Sequence, residues 1–204
     1  MFDRLDTVRT HLTEDVRTAL AKDPAAKSAL EVALLYPGVH AVWLYRIAHH
    51  LWTGDHRLAA RAVSEFASFL TGVEIHPAAT IGKRLFVDHG AGVVIGETAE
   101  IGDDVLLYHG VTLGGKSMRR EKRHPTIEDC ATVGANATLL GDITVGEGAT
   151  VGAGAVVSSD VPADATVAGN PAEIVDTAPA RTGEKSREVD PGSEAGEPHW
   201  LADC

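Results

Sequence analysis

Aliphatic residues change their period once along this chain, near residue 73, and the change separates a helical part from a β part. Before that point Leu5, Val8, Leu12, Val16 and Leu20 recur at steps of three and four, which places them on one face of an α-helix. Asp23-Pro24 reads as an N-cap followed by proline at the first position of a second helix. Pro37-Gly38 interrupts the chain after Leu34-Leu35-Tyr36. HAVWLYRIAHHLW then reads as a strongly apolar helix, Gly54-Asp55 as a turn, and Arg57 to Leu70 as the last helix. From Ile75 the step becomes six: Ile75, Ile81, Val87, then Ile95, Ile101, Leu107, Leu113, then Ile127, Val133, Leu139, Val145, Val151 and Val157. Small residues such as Ala79, Ala99, Ala131, Ala137, Ala149 and Ala155 stand four places after an aliphatic.

A six-residue period of this kind predicts a left-handed parallel β-helix, in which each hexad is one side of a triangular coil. The aliphatic residue points into the prism, the small residue lets the chain turn the corner, and stacked coils bury a core that one coil cannot. The predicted fold is therefore mainly β, preceded by a small α-helical N-terminal domain. The divisions are 1–72 for the helical domain, 73–175 for the β-helix with an extruded loop at about 114–125, and 176–204 for an acidic tail. That tail is rich in Glu, Pro, Gly and Ser and predicts disorder.

Two breaks in the repeat mark candidate chemistry. Ile81 and Ile95 are two residues further apart than two hexads, and the excess falls around FVDHGAGVV. Leu113 and Ile127 are separated by a hexad plus the extruded loop GGKSMRREKRHP. A regular solenoid needs neither, and irregular loops on rigid scaffolds are where function collects. His89 lies in the first break, and a neutral imidazole is a natural base for a hydroxyl group. Glu74, about one coil upstream, is spaced to stack beside His89 and fix its tautomer. The loop carries Lys116, Arg119, Arg120, Lys122 and Arg123 and ends in His124, a basic run in a chain of net charge -11. That local reversal points to an anionic group such as a phosphate or carboxylate, with Arg123 offering a planar fork.

The overall acidity argues against nucleic acid. No apolar run is long enough to span a membrane and the N-terminus has no signal-like core, so the expectation is a cytoplasmic protein. Cys130 and Cys204 make no disulfide framework and no metal-binding spacing.

IHPAATIG, LFVDHGAGVVIGETAEIGDDV, GVTLGG, KRHPTI and VAGNPAEIV, in that order with the loop between, resemble the serine O-acetyltransferase family. DPAAKSALEVALLYPGVHAVWLYRIAHHLW is similar to the end of that family's N-terminal domain. The resemblance spans about residues 23–175. It implies transfer of acetyl from acetyl-CoA to the L-serine hydroxyl, the first step of cysteine biosynthesis. Acetyl-CoA would be a co-substrate, with no permanently bound cofactor and no metal. By resemblance His89 is the catalytic base and Glu74 its acidic partner. Asp23 and Asp88 would hold the serine amino group. Arg123 and His124, from a neighbouring subunit, would hold its carboxylate, and Gly115, Ala135 and Ala153 would line the coenzyme A groove.

The resemblance further implies a homotrimer or a dimer of trimers. The helical segment is shorter than in the longer members, whose added helices join trimers, and the loop lacks the GGTGK-like glycines. The tail ends in Leu-Ala-Asp-Cys rather than the isoleucine with which some members dock into O-acetylserine sulfhydrylase, which argues against that partner. The competing readings are an acetyltransferase for homoserine or a sugar, and a γ-carbonic-anhydrase-like zinc lyase. The lyase needs three histidine ligands including a close pair, which His76, His89, His109 and His124 do not supply.

Overall fold

The computed structural model describes residues 2–177. Among these, helices α1 (Phe2–Lys22), α2 (Ala29–Leu35), α3 (Pro37–Thr53) and α4 (Arg57–Thr71) precede a stack of very short strands. The strands form three sheets, one per side of a prism. The first side holds β1 (Glu74–Ile75), β4 (Val94–Ile95), β7 (Thr112–Gly114), β10 (Thr138–Leu140) and β13 (Val156–Val157). The second holds β2 (Thr80–Ile81), β5 (Glu100–Ile101), β8 (Thr126–Ile127) and β11 (Thr144–Val145). The third holds β3 (Phe86–Val87), β6 (Leu106–Leu107), β9 (Thr132–Val133), β12 (Thr150–Val151), β14 (Ala165–Ala168) and β15 (Glu173–Thr177).

All neighbours pair in parallel except β14 and β15. Each aliphatic of the hexad repeat pairs with the next copy of itself, as Ile95 does with Leu113 and Leu113 with Leu139. Because side chains alternate along a strand, the residue two places before each aliphatic also points inward. Val73, Val93, Val111, Ala137 and Ala155 occupy that position on the first side and are buried. The small residues seen in the sequence thus fill the narrow parts of the prism next to its corners.

The register locates the irregularities. Val94 pairs with Thr112, one regular coil on, whereas Glu74 pairs with Val94, two residues further than a regular coil. Thr112 pairs with Thr138 across the coil that carries the extruded loop.

The helices close the N-terminal end of the prism, where the first coil would otherwise expose unpaired backbone. Tyr45 donates its hydroxyl to the Ala79 carbonyl at 2.6 Å, and Ser64 donates to the Ile75 carbonyl at 2.6 Å. Gly38 on α3 lies against β3 so tightly that a Cβ there would run into the Val87 carbonyl oxygen. Ala19, Val32, Val39 and Phe86 form a second small core between the helices and the third side.

Two sequence readings are corrected. Asp23 is not an N-cap: α1 runs up to it, and its Oδ1 accepts the Ala25 N–H at 2.7 Å in a turn. The next helix is capped by Ser28, whose Oγ accepts the Glu31 N–H, while Glu31 reaches back to the Lys27 N–H. That reciprocal pair outcompetes the Asp-Pro signal. The residues assigned to the start of the tail, Asp176 and Thr177, belong to β15, which pairs antiparallel with β14. Backbone pairing at a sheet edge needs no hydrophobic pattern, which is why the composition did not show it. The rest of the tail lies outside the described residues.

Candidate active site

The two-residue excess in the first coil forms the corner that leads from β3 to β4. Its backbone takes left-handed conformations at His89 (φ 60), Gly90 (φ 75) and Gly92 (φ 76). Gly90 is required there, since a Cβ would meet Val73 Cγ2 at 2.7 Å. A non-glycine residue in this region costs roughly 1 kcal/mol or more, a cost that functional sites often carry. At His89 the result is a side chain 74% exposed and aimed outward, with Nε2 3.6 Å from Asp88 Oδ2. At that distance the two attract when the ring is protonated, but they do not share a hydrogen bond.

The next coil places His109 at the equivalent corner. The two imidazoles stand edge to face, with centroids 5.9 Å apart. His109 Nδ1 is buried and makes no hydrogen bond among the described residues. Along the same edge, one and two coils further, come Ala135 and Ala153. The Ala135 carbonyl accepts the Gly154 N–H at 2.8 Å. Glycine at 134 lets these coils approach, since a Cβ there would lie 2.6 Å from the Ala153 nitrogen.

The helices bring Asp23 and Tyr36 to the His89 corner. The Tyr36 hydroxyl donates to Asp23 Oδ2 at 2.6 Å. This bond, then the Ala25 amide, holds the Asp23 carboxyl below its ordinary range, and the nearby His89 acts in the same direction. The same contact pushes the Tyr36 phenol up to about 12, and the charge of Asp88 also reaches it. Glu74 is exposed at the start of β1. Its N–H donates to the Val93 carbonyl, and among the described residues its carboxylate makes no ion pair or hydrogen bond with His89. The carboxylate that stands in ion-pair range of His89 among the described residues is that of Asp88.

Arg123 and His124 sit at a different edge of the prism, at the corner from β7 to β8 where the loop returns. Arg123 Nη2 lies 2.7 Å from Glu97 Oε2. Thr98 Oγ1 accepts the backbone N–H groups of both Arg123 and His124. His124 Nδ1 accepts the Thr98 N–H at 3.2 Å, so the neutral ring carries its proton on Nε2. The ring is buried over Gly96, where any Cβ would collide with it, and next to Gly115, whose Cβ would lie 3.3 Å from Nε2. Burial, reinforced by the Arg123 charge, lowers the His124 pKa.

The structure therefore gathers Asp23, Asp88 and His89 on one edge, with Ala135 and Ala153 further along it. It gathers Arg123, His124 and Gly115 on another. Sequence reasoning missed Tyr36, Glu97, Thr98 and His109 as members of these clusters. Glu97 and Thr98 stand within VIGET, yet only the fold shows that they hold the loop. His109 was detectable by its spacing, one irregular coil after His89. Among the described residues no three His, Cys, Asp or Glu side chains converge as metal ligands, and no helix is long and apolar enough to cross a membrane.

An outward imidazole and a basic loop thus stand on two edges of one prism, the architecture that a hexapeptide repeat builds. Residues 124–159 match the bacterial transferase hexapeptide (six repeats) family. The chain is 54% identical over 166 residues to the serine acetyltransferase of Mycobacterium tuberculosis, covering 81% of this chain and 72% of that one. Soybean serine acetyltransferase complexed with serine superposes with a TM-score of 0.80 at 46% identity, covering 82% of this chain and 69% of that one. Serine acetyltransferase from Brucella abortus strain S19 in complex with coenzyme A superposes with a TM-score of 0.81 at 37% identity, covering 84% and 72%. The chain belongs to the serine acetyltransferase family, and its prism is a left-handed parallel β-helix.

Proposed function

We propose that this protein is an acetyl-CoA-dependent serine O-acetyltransferase, which acylates the L-serine hydroxyl and releases coenzyme A. The observation that carries the reading is the division of partners between two edges of one prism. One edge holds the base and two carboxylates, and the other holds a guanidinium and an imidazole. A zwitterionic acceptor needs both signs, and a single chain offers them apart. Side-by-side packing of three prisms sets the His89 edge of one subunit against the Arg123 edge of the next. The proposed assembly is accordingly a homotrimer with its sites between subunits.

In this site Asp23 and Asp88 receive the serine ammonium, and the neighbour's Arg123 and His124 receive the carboxylate. His89 removes the hydroxyl proton as the oxygen attacks the thioester carbonyl. Backbone N–H groups of the groove stabilise the tetrahedral oxyanion. Collapse breaks the carbon–sulfur bond, and His89 returns the proton to the thiolate. No acyl-enzyme is involved. Glu74 orients His89 once serine has engaged Asp88. Coenzyme A lies along Ala135 and Ala153 and reaches Gly115 on the facing subunit.

The test is thiol release from acetyl-CoA with serine, homoserine and a sugar compared under one set of conditions. Serine should dominate, and equal rates with all three would defeat the acceptor assignment. Mixing His89→Ala subunits with Arg123→Ala subunits tests the shared site. Reassembled mixtures should regain activity that neither variant has alone, and no recovery would place both residues in one subunit's site.

A further inference from the structure

We propose that Tyr36 is a positioning residue for the acceptor: its hydroxyl fixes the Asp23 carboxylate in the orientation that receives the serine ammonium. This rests on the reading of Asp23 given above. Asp23 lies in the turn after α1, outside any regular element, so its side chain needs external support to point anywhere in particular. Both of its oxygens are held, Oδ1 by the Ala25 N–H at 2.7 Å and Oδ2 by the Tyr36 hydroxyl at 2.6 Å. The second is a short, charge-assisted bond of the stronger kind.

Tyr36 is itself anchored. It is the hinge residue between α2 and α3, where its N–H donates to the Val32 carbonyl and its own carbonyl accepts the His40 N–H. Pro37 fixes the next turn. Tyr36 packs on the small core of Val32, Val39 and Phe86, and Phe86 is on the strand that runs directly into Asp88 and His89. The strut thus connects the Asp23 carboxylate to the same strand that presents the base. Its chemistry also suits the task. A neutral phenol orients the carboxylate and leaves its full negative charge for an ammonium ion. An arginine in the same place would neutralise it. A brace needed only to join two helices would not require a neutral donor on a carboxylate that also senses His89.

The test is Tyr36→Phe, which keeps the packed ring and removes only the donor. The KM for serine should rise about tenfold, the equivalent of one charge-assisted hydrogen bond. The kcat and the KM for acetyl-CoA should stay within about twofold. In an Asp23→Asn background the same substitution should add nothing. An unchanged serine KM in Tyr36→Phe, or an equal further loss in the Asp23→Asn background, overturns the proposal. Asp23→Asn alone separates the two levels of the argument. If it raises the serine KM while Tyr36→Phe does not, only the strut is wrong. If it leaves the serine KM unchanged, the ammonium assignment falls and the strut with it.

Discussion

Arg123 Nη2 lies 2.7 Å from Glu97 Oε2, which ties the end of the extruded loop to the corner of the preceding coil. Both side chains are partly exposed, at 23% and 42%. Ion pairs of that kind contribute only about 0–1 kcal/mol to stability. The pair therefore matters for where the guanidinium points. Glu97→Gln should raise the serine KM severalfold and leave the melting temperature nearly unchanged. A large loss of thermal stability with an unaltered KM would make the pair structural.

His89→Ala should lower kcat by ~10²–10⁴-fold, the range for a general base, with assembly state unchanged by gel filtration. The strained backbone at φ 60 adds a second expectation. His89→Gly should be equally inactive yet about 1 kcal/mol more stable, because glycine adopts this conformation without the Cβ clash. Full turnover in His89→Ala would remove it as the base.

Gly38→Ala puts a methyl group against the Val87 carbonyl oxygen. That oxygen belongs to β3, which cannot shift without disturbing the first coil. The cost should be about 1–3 kcal/mol, as for other overpacked contacts. It should appear as a lower denaturation midpoint and a loss of activity, since α3 leads from the turn that carries Tyr36. A variant as stable and active as the parent would show that the helices are not seated on β3 in solution.

His124 links stability to pH. Burial and the Arg123 charge lower its pKa in the folded chain, while Glu97 opposes this and Lys122 adds to it. The unfolded chain thus binds the proton more readily. Stability from this group is complete above the unfolded value of about 6.5 and falls as pH drops below it toward the folded value. His76, on the same prism edge, shifts in the same direction, mainly from burial. The melting temperature should decline between neutral pH and mildly acidic pH. His124→Asn, which keeps an acceptor for the Thr98 N–H but does not titrate, should flatten part of that decline. An identical slope in the variant would assign it to other groups.

The hexad period was legible because its cause is local. Each aliphatic must face the prism axis, so Ile75, Ile95, Leu113 and Leu139 repeat along the sequence and stack in space. The candidate site was legible for a related reason. A regular prism has no use for the extra residues around His89 or for the loop before Arg123, so departures from the repeat marked them. Tyr36 and Glu97 left no such mark. One is an aromatic at a helix junction and the other a charge in a regular hexad, and each is explained locally without any reference to a site.

By itself the sequence determined the β-helix, the helices before it, and the residues able to carry acid–base and carboxylate chemistry. These depend on periodicity and residue type, which are properties of the chain. Only the tertiary structure decided which of those residues meet. It set Asp23 at the end of α1 against Tyr36 and the His89 corner, left the Asp88 carboxylate 3.6 Å from His89, and put Arg123 and His124 on another edge. Winding fixes these neighbours: a two-residue excess re-aims one corner, and hexads one side apart face different directions however close they are in sequence.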